Sequence, residues 1–167
     1  DLALTCYGND LDFKVKGFLS DNPSNIEEMG YPAVLNTVLD YVPVEDDVFF
    51  CAIGNLSHRK KTVGIILSKG GKFINLIHPT AILSPSVKLG IGVGIKSFCV
   101  LASDVTIEDF TFLQSSVIMG HDVHIGSFCQ VNSFSFFAGH VRVHNMVSVS
   151  AGVRIIQGVV VEEESVV

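Results

Sequence analysis

The second half of the chain places a large apolar residue at every sixth position. The series starts at Ile77 and runs through Leu83, Leu89, Ile95, Leu101, Ile107, Leu113, Met119 and Ile125 to Val167. All sixteen members are Ile, Leu, Val, Met or Phe, which together fill 66 of the 167 positions, so about six would fall there by chance. Two residues before each of these sits a small or β-branched one, such as Val93, Cys99, Val105, Thr111, Val117 or Ser135. A period of six is neither the 3.6 of a helix nor the plain alternation of a long strand. It predicts short strands joined by tight corners, three strands to a coil of eighteen residues. The large residue fills the interior and the small one fits the corner. Coils stack at the spacing of hydrogen-bonded strands, about 4.8 Å, so residues eighteen apart lie one above another. Residues 77–167 then make about five coils of a parallel β-solenoid. A β-sandwich needs turn signals every 8–12 residues, and the strict register disfavours it. Spacing does not set the handedness.

Residues 1–76 carry no such repeat. Phe13–Leu19 reads as strand-like, and Val48–Ile53 as a buried parallel strand. Gly54-Asn55 reads as a turn, Ser57 as a cap, and His58–Ser68 as a helix that Gly70-Gly71 ends. Lys72–Ile77 is a further strand that enters the solenoid without a linker. Strand, helix, strand at these lengths predicts a small α/β unit on a parallel sheet. Asp1–Tyr7 reads as the tail of a helix. Arg59-Lys60-Lys61 reads as a solvated helix face or a phosphate contact.

Charge narrows the possible partners. Eleven basic residues against seventeen acidic ones give a net charge of -6, which opposes nucleic-acid binding. Hydrophobic residues make up 48% and charged ones 17%, with a mean hydropathy of +0.47, which excludes disorder. No apolar run approaches the roughly 18 residues of a membrane span. The apolar excess has to be buried in the fold or between subunits, and points to an oligomer. Cys6, Cys51, Cys99 and Cys129 form no CxxC pair and no secretory signal opens the chain, so a cytoplasmic location is expected.

His121 is the histidine best placed for chemistry. It falls at a solenoid corner, two residues after the inward Met119, and Asp122 beside it can orient the imidazole or raise its basicity. By spacing alone it reads more readily as a surface histidine at a turn. Gly139 lies one coil above it, and a glycine allows close approach to the backbone. Gln114 and Asn132 are also one coil apart and can form an amide ladder.

The segments FFCAIGNLSHRKK, NLIHPTAILSPSV and SSVIMGHDVHIGSF resemble one bacterial family over nearly the whole chain. This family is the sugar-nucleotide acetyltransferases, which include UDP-4-amino-sugar N-acetyltransferases (PglD-like) and sialic acid O-acetyltransferases (NeuD-like). The resemblance implies a small Rossmann-like α/β unit, residues 1–76, that binds the nucleotide sugar. It implies a left-handed parallel β-helix of hexapeptide repeats, residues 77–167, and a homotrimer with acetyl-CoA between adjacent solenoids. It implies His121 as the base, Asp122 as its partner and Gly139 as the oxyanion donor. Gln114 and Ala138 then lie beside acetyl-CoA, and Asp21, Gly54, Asn55 and Gln130 meet the nucleotide sugar.

The chain departs from the family in four places, one of them Gln114, where the family has Asn. The family's opening strand and Gly-rich loop have no counterpart, and neither do its last coils, so residues are expected to be missing at both ends. Gln130 stands where a UDP-sugar enzyme of the family carries a second histidine. The implied function is N-acetylation of a nucleotide-linked, UDP-type amino sugar by direct attack on acetyl-CoA. The alternatives are O-acetylation of sialic acid or another sugar hydroxyl, and a non-catalytic binding or assembly solenoid. No metal is expected. His140 and His144 are four apart with no histidine thirty-odd residues before them, which does not match the three-histidine zinc set of solenoid carbonic anhydrases.

Overall fold

The computed structural model describes residues 2–7, 13–21 and 31–167. A short helix α1 (Leu2–Tyr7) is followed by the strands β1 (Phe18–Leu19), β2 (Val34–Asn36) and β3 (Val48–Phe49). Helix α2 (Leu56–Ser68) leads to β4 (Lys72–Phe73). From β5 (Leu76–Ile77) to β19 (Val160–Val161) every strand has two residues, and these strands stack as three parallel sheets of five. Partners are eighteen residues apart, as in Thr106 with His124, Ile118 with Phe136 and Gln130 with Ser148. The expected parallel solenoid and its eighteen-residue coil are therefore present.

The interior follows the six-residue register. Ile95, Leu101, Ile107, Leu113, Met119, Ile125, Val131 and Phe137 are each exposed by 1% or less. The small series beside them is as deeply buried. Where that series turns polar, the group is bonded, because an unpaired buried hydroxyl is costly. Thr111 Oγ1 donates to the Gly126 carbonyl at 2.7 Å and accepts from the Cys129 amide at 2.9 Å. Ser135 Oγ lies 2.8 Å from the Asn132 carbonyl and 3.0 Å from that of Ser150.

From Gly92 on, each turn between sheets puts one residue in the left-handed region, and most of these are not glycine: Asp104, Asp122 and His140 have φ of 61°, 58° and 61°. That conformation costs a side-chain-bearing residue roughly 1–2 kcal/mol. The coil below offsets the cost with a hydrogen bond, since Asp122 N–H meets the Ser103 carbonyl and His140 N–H meets that of His121, both at 3.0 Å.

The three outer faces differ. One lies under the N-terminal residues, where Phe50 packs on Phe112 with centroids 5.8 Å apart and Phe73 packs on Phe110 at 5.1 Å. The second presents Ile82, Val100, Ile118 and Phe136, exposed by 65%, 36%, 44% and 40%. The third presents Lys88, Thr106, His124 and Arg142.

The N-terminal residues differ from expectation in detail. β3, α2 and β4 form the predicted strand-helix-strand unit, with Val48 opposite Lys72 and Phe49 opposite Phe73 in parallel. The apolar run after Phe49 leaves the strand, because Phe50 turns to pack on the solenoid. Only Phe18 and Leu19 of Phe13–Leu19 pair, and they pair with β2. Lys72–Ile77 splits, because Leu76 and Ile77 already belong to the first coil opposite Gly94 and Ile95. The two parallel pairs stay separate, so a single Rossmann-like sheet is not formed among the described residues. The helix cap is Asn55 rather than Ser57, because Asn55 Oδ1 accepts from the His58 amide at 2.9 Å. Gly70 closes the helix at φ 80°, and Gly71 N–H returns to the Ile66 carbonyl at 3.0 Å.

Arg59 corrects the reading of the basic run. It is 2% exposed, whereas Lys60 and Lys61 face solvent. Its guanidinium donates to the carbonyls of Ile53 at 2.7 Å, Phe110 at 3.0 Å and Cys129 at 3.1 Å, and to Gln130 Oε1. It therefore pins α2 to the solenoid. Replacing Arg59 by Ala strands the Ile53 and Phe110 carbonyls and is expected to cost about 3 kcal/mol. Lys cannot reproduce the fork. Hydrogen exchange of the α2 amides in Arg59→Ala and Arg59→Lys checks this, with faster exchange expected in both.

Candidate active site

The corner Gly120–Val123 joins the strand Ile118–Met119, on the exposed apolar face, to His124–Ile125, on the polar face. His121 is therefore on the edge between those two faces. Its Nδ1 lies 2.7 Å from Asp122 Oδ2. That hydrogen bond holds the Asp122 carboxyl below its ordinary range, so the carboxylate accepts and His121 Nδ1 donates. The tautomer this sets leaves Nε2 with its lone pair.

Nε2 points at the coil above. A Cβ placed on Gly139 would sit 2.7 Å from His121 Nε2 and 2.8 Å from Cε1, closer than real Cβ contacts come. The ring occupies the space that the absent side chain leaves. A Cβ on Gly120 would lie 2.9 Å from the Gly139 nitrogen, so a second glycine keeps that amide uncovered. The neighbouring amides are used: Ala138 N–H meets the Ile155 carbonyl at 2.9 Å and His140 N–H meets that of His121. The Gly139 N–H between them has no partner among the described residues. A free amide beside an imidazole lone pair is the donor-and-base pair that acyl transfer requires.

His140 belongs to the same cluster, although along the chain its nearest histidine is His144. Its ring stands at 88° to His121 with centroids 4.8 Å apart, and its Nδ1 is 3.7 Å from Asp122 Oδ2. The signal was available, since 140 is 122 plus eighteen. Asp104, Asp122, His124, His140 and Arg142 line an open groove of about 240 Å³ beside the corner.

The other expected site residues lie elsewhere. Ala138 shares the corner with His121, Asp122 and Gly139. Gln114 is at the preceding corner, on the opposite edge of the exposed apolar face. Gln130 is 8% exposed beneath the N-terminal residues, and Arg59 holds its carbonyl oxygen. Asn132 makes no ladder with Gln114, because its Nδ2 donates to the Val149 carbonyl at 2.9 Å and its Oδ1 faces Gln130. Asp21 follows β1 and Gly54-Asn55 follow β3, all three exposed, and Asn55 spends its side chain on the cap. The chain therefore assembles His121, Asp122, Ala138 and Gly139 but not the remaining five.

Cys99 and Cys129 are fully buried, and burial pushes the Cys129 thiol up to about 11. Neither is fit to act as a nucleophile.

No protein-family model matches the chain. Solved structures do share its fold. A mutant of perosamine N-acetyltransferase from Caulobacter crescentus, solved with CoA and GDP-perosamine, is 19% identical with a TM-score of 0.71, over 90% of this chain and 80% of that one. WeeI from Acinetobacter baumannii AYE is 19% identical with a TM-score of 0.87, over 97% and 80%. The acetyltransferase domain of PglB from Neisseria gonorrhoeae, in complex with acetyl coenzyme A, is 20% identical with a TM-score of 0.65, over 95% and 88%. The resemblance read from the sequence is borne out in the fold.

Gly139→Ala tests the packing at this corner. The fold should persist, while the His121 ring rotates away and loses its bond to Asp122. Histidine nitrogen chemical shifts would report that loss, and an unchanged Nδ1 signal would contradict the packing.

Proposed function

We propose that this protein transfers the acetyl group of acetyl-CoA to the amine of a nucleotide-linked amino sugar. The observation that carries this is the His121 ring, bonded through Nδ1 to Asp122, packed against Gly139, whose N–H is open. The amine attacks the thioester carbonyl, and His121 takes its proton as the C–N bond forms. Gly139 N–H donates to the oxyanion. Collapse of the intermediate expels the CoA thiolate, and anionic Asp122 stabilises the imidazolium meanwhile. No acyl-enzyme forms, in keeping with the buried cysteines.

The active form on this account is a homotrimer wound left-handed, joined through the exposed apolar face of Ile82, Val100, Ile118 and Phe136. Such a face needs cover. Its two edges carry Gln114 and His121, so threefold packing brings Gln114 of one copy toward His121 of the next, with acetyl-CoA between them. Residues 1–76 then bind the nucleotide sugar through Asp21, Gly54 and Asn55, and residues 77–167 carry the transfer. Gln130, tied to Arg59, sits where those two parts meet. The four unpaired cysteines suit a reducing cytoplasm. Among the described residues no helix is long and apolar enough to cross a membrane.

The resemblance favours a UDP-linked acceptor. The Caulobacter neighbour was solved with GDP-perosamine, which makes a GDP-linked sugar the second acceptor to test. The assay is CoA-thiol release with acetyl-CoA and a UDP- or GDP-linked 4-amino-4,6-dideoxy sugar, with sialic acid as the hydroxyl acceptor. Release should need an amino sugar and fall roughly 10²–10⁴-fold in His121→Ala. Equal rates in wild type and variant would remove His121 from the mechanism, and release with sialic acid alone would replace the amine by a hydroxyl.

A further inference from the structure

We propose that His121, Asp122 and His140 form a site for a divalent transition-metal ion, and that an ion bound there blocks the corner rather than serving it. These residues each offer one ligand atom, and the three atoms lie within 4.8 Å of one another. They are the one such group among the described residues. Asp122 Oδ2 is central, 2.7 Å from His121 Nδ1 and 3.7 Å from His140 Nδ1.

The backbone is already arranged for an ion. His121 and His140 sit on adjacent coils, locked by the 3.0 Å bond from His140 N–H to the His121 carbonyl. An ion with bonds of about 2.0–2.1 Å needs its ligand atoms roughly 3.3 Å apart. The group meets that spacing by side-chain rotation of about an ångström. All three side chains border solvent, being 57%, 47% and 55% exposed, which leaves room for that adjustment. Two imidazoles and one carboxylate suit zinc, copper or nickel better than magnesium or calcium. Three protein ligands leave a position for water, as open zinc sites do.

The block follows from the imidazole's two nitrogens. An ion on His121 Nε2 takes the lone pair that would accept the proton. An ion on Nδ1 displaces the proton now given to Asp122, and the neutral ring then carries its proton on Nε2. Either way His121 stops being a base. This half of the proposal rests on the acetyl-transfer reading, while metal binding does not.

The test is calorimetric titration of zinc chloride into the full chain. Wild type should bind one ion per chain, and His140→Ala should bind at least tenfold more weakly, with the circular-dichroism melt confirming that the variant is folded. His124→Ala is the control and should match wild type, because His124 pairs with Glu108 outside the group. Equal zinc affinity in wild type and His140→Ala, or no binding by wild type at millimolar zinc, overturns the site. With acetyl-CoA and an amino-sugar acceptor, zinc should inhibit wild type reversibly on chelation. Half-inhibition of His140→Ala should need at least tenfold more zinc. Binding without inhibition overturns the blocking role. Zinc binding by a chain that acetylates no acceptor leaves the site standing and defeats the transfer reading. Transfer without zinc binding does the reverse.

Discussion

Backbone hydrogen bonds between successive coils place every residue above the one eighteen positions earlier, and the corner chemistry depends on that alignment. His121 and Gly139 are eighteen residues apart in sequence, yet the imidazole of one fills the space that the missing side chain of the other leaves. If the coils slipped by one residue, Ala138 or His140 would stand over the ring, and the amide beside Nε2 would be one already bonded within the ladder. The interior holds the alignment in place. A large and a small apolar residue alternate inward on each strand, so a one-residue slip would turn the outward column into the core. Cooperative packing of the prism thus positions a site whose own groups are exposed and contribute little to stability.

The outer faces divide the remaining tasks. The N-terminal residues cover one face, and Arg59 secures them with a guanidinium that satisfies carbonyls of two coils at once. The second face, apolar and open, has His121 on one edge and Gln114 on the other. The third is polar and borders the groove beside Asp122. In the proposed trimer a site on the edge between an apolar face and a polar one is half built by each copy, which would account for the distance of Gln114 from His121 and Gly139 within one chain.

Much of this was legible in the sequence because the solenoid turns spacing into proximity. The period of six predicted the strands, and eighteen predicted that Gly139 lies over His121. The same arithmetic puts His140 over Asp122, a match across coils that is invisible along the chain, where His140 stands four residues from His144. Arg59 was not legible. An Arg-Lys-Lys run looks solvated until the partner surface is known, and which of the three faces inward depends on how α2 meets the solenoid. Gln130 was hidden for the same reason, since its burial comes from residues seventy positions earlier. Val48–Ile53 looked like a long strand because apolar runs do not distinguish pairing from packing, and Phe50 packs.

The most direct test of the account is a crystal structure of the protein with acetyl-CoA. The account predicts a thioester between two copies of the chain, its carbonyl oxygen about 3 Å from Gly139 N–H and its carbonyl carbon facing His121 Nε2. Acetyl-CoA bound at another corner, or with its thioester remote from both residues, would contradict it.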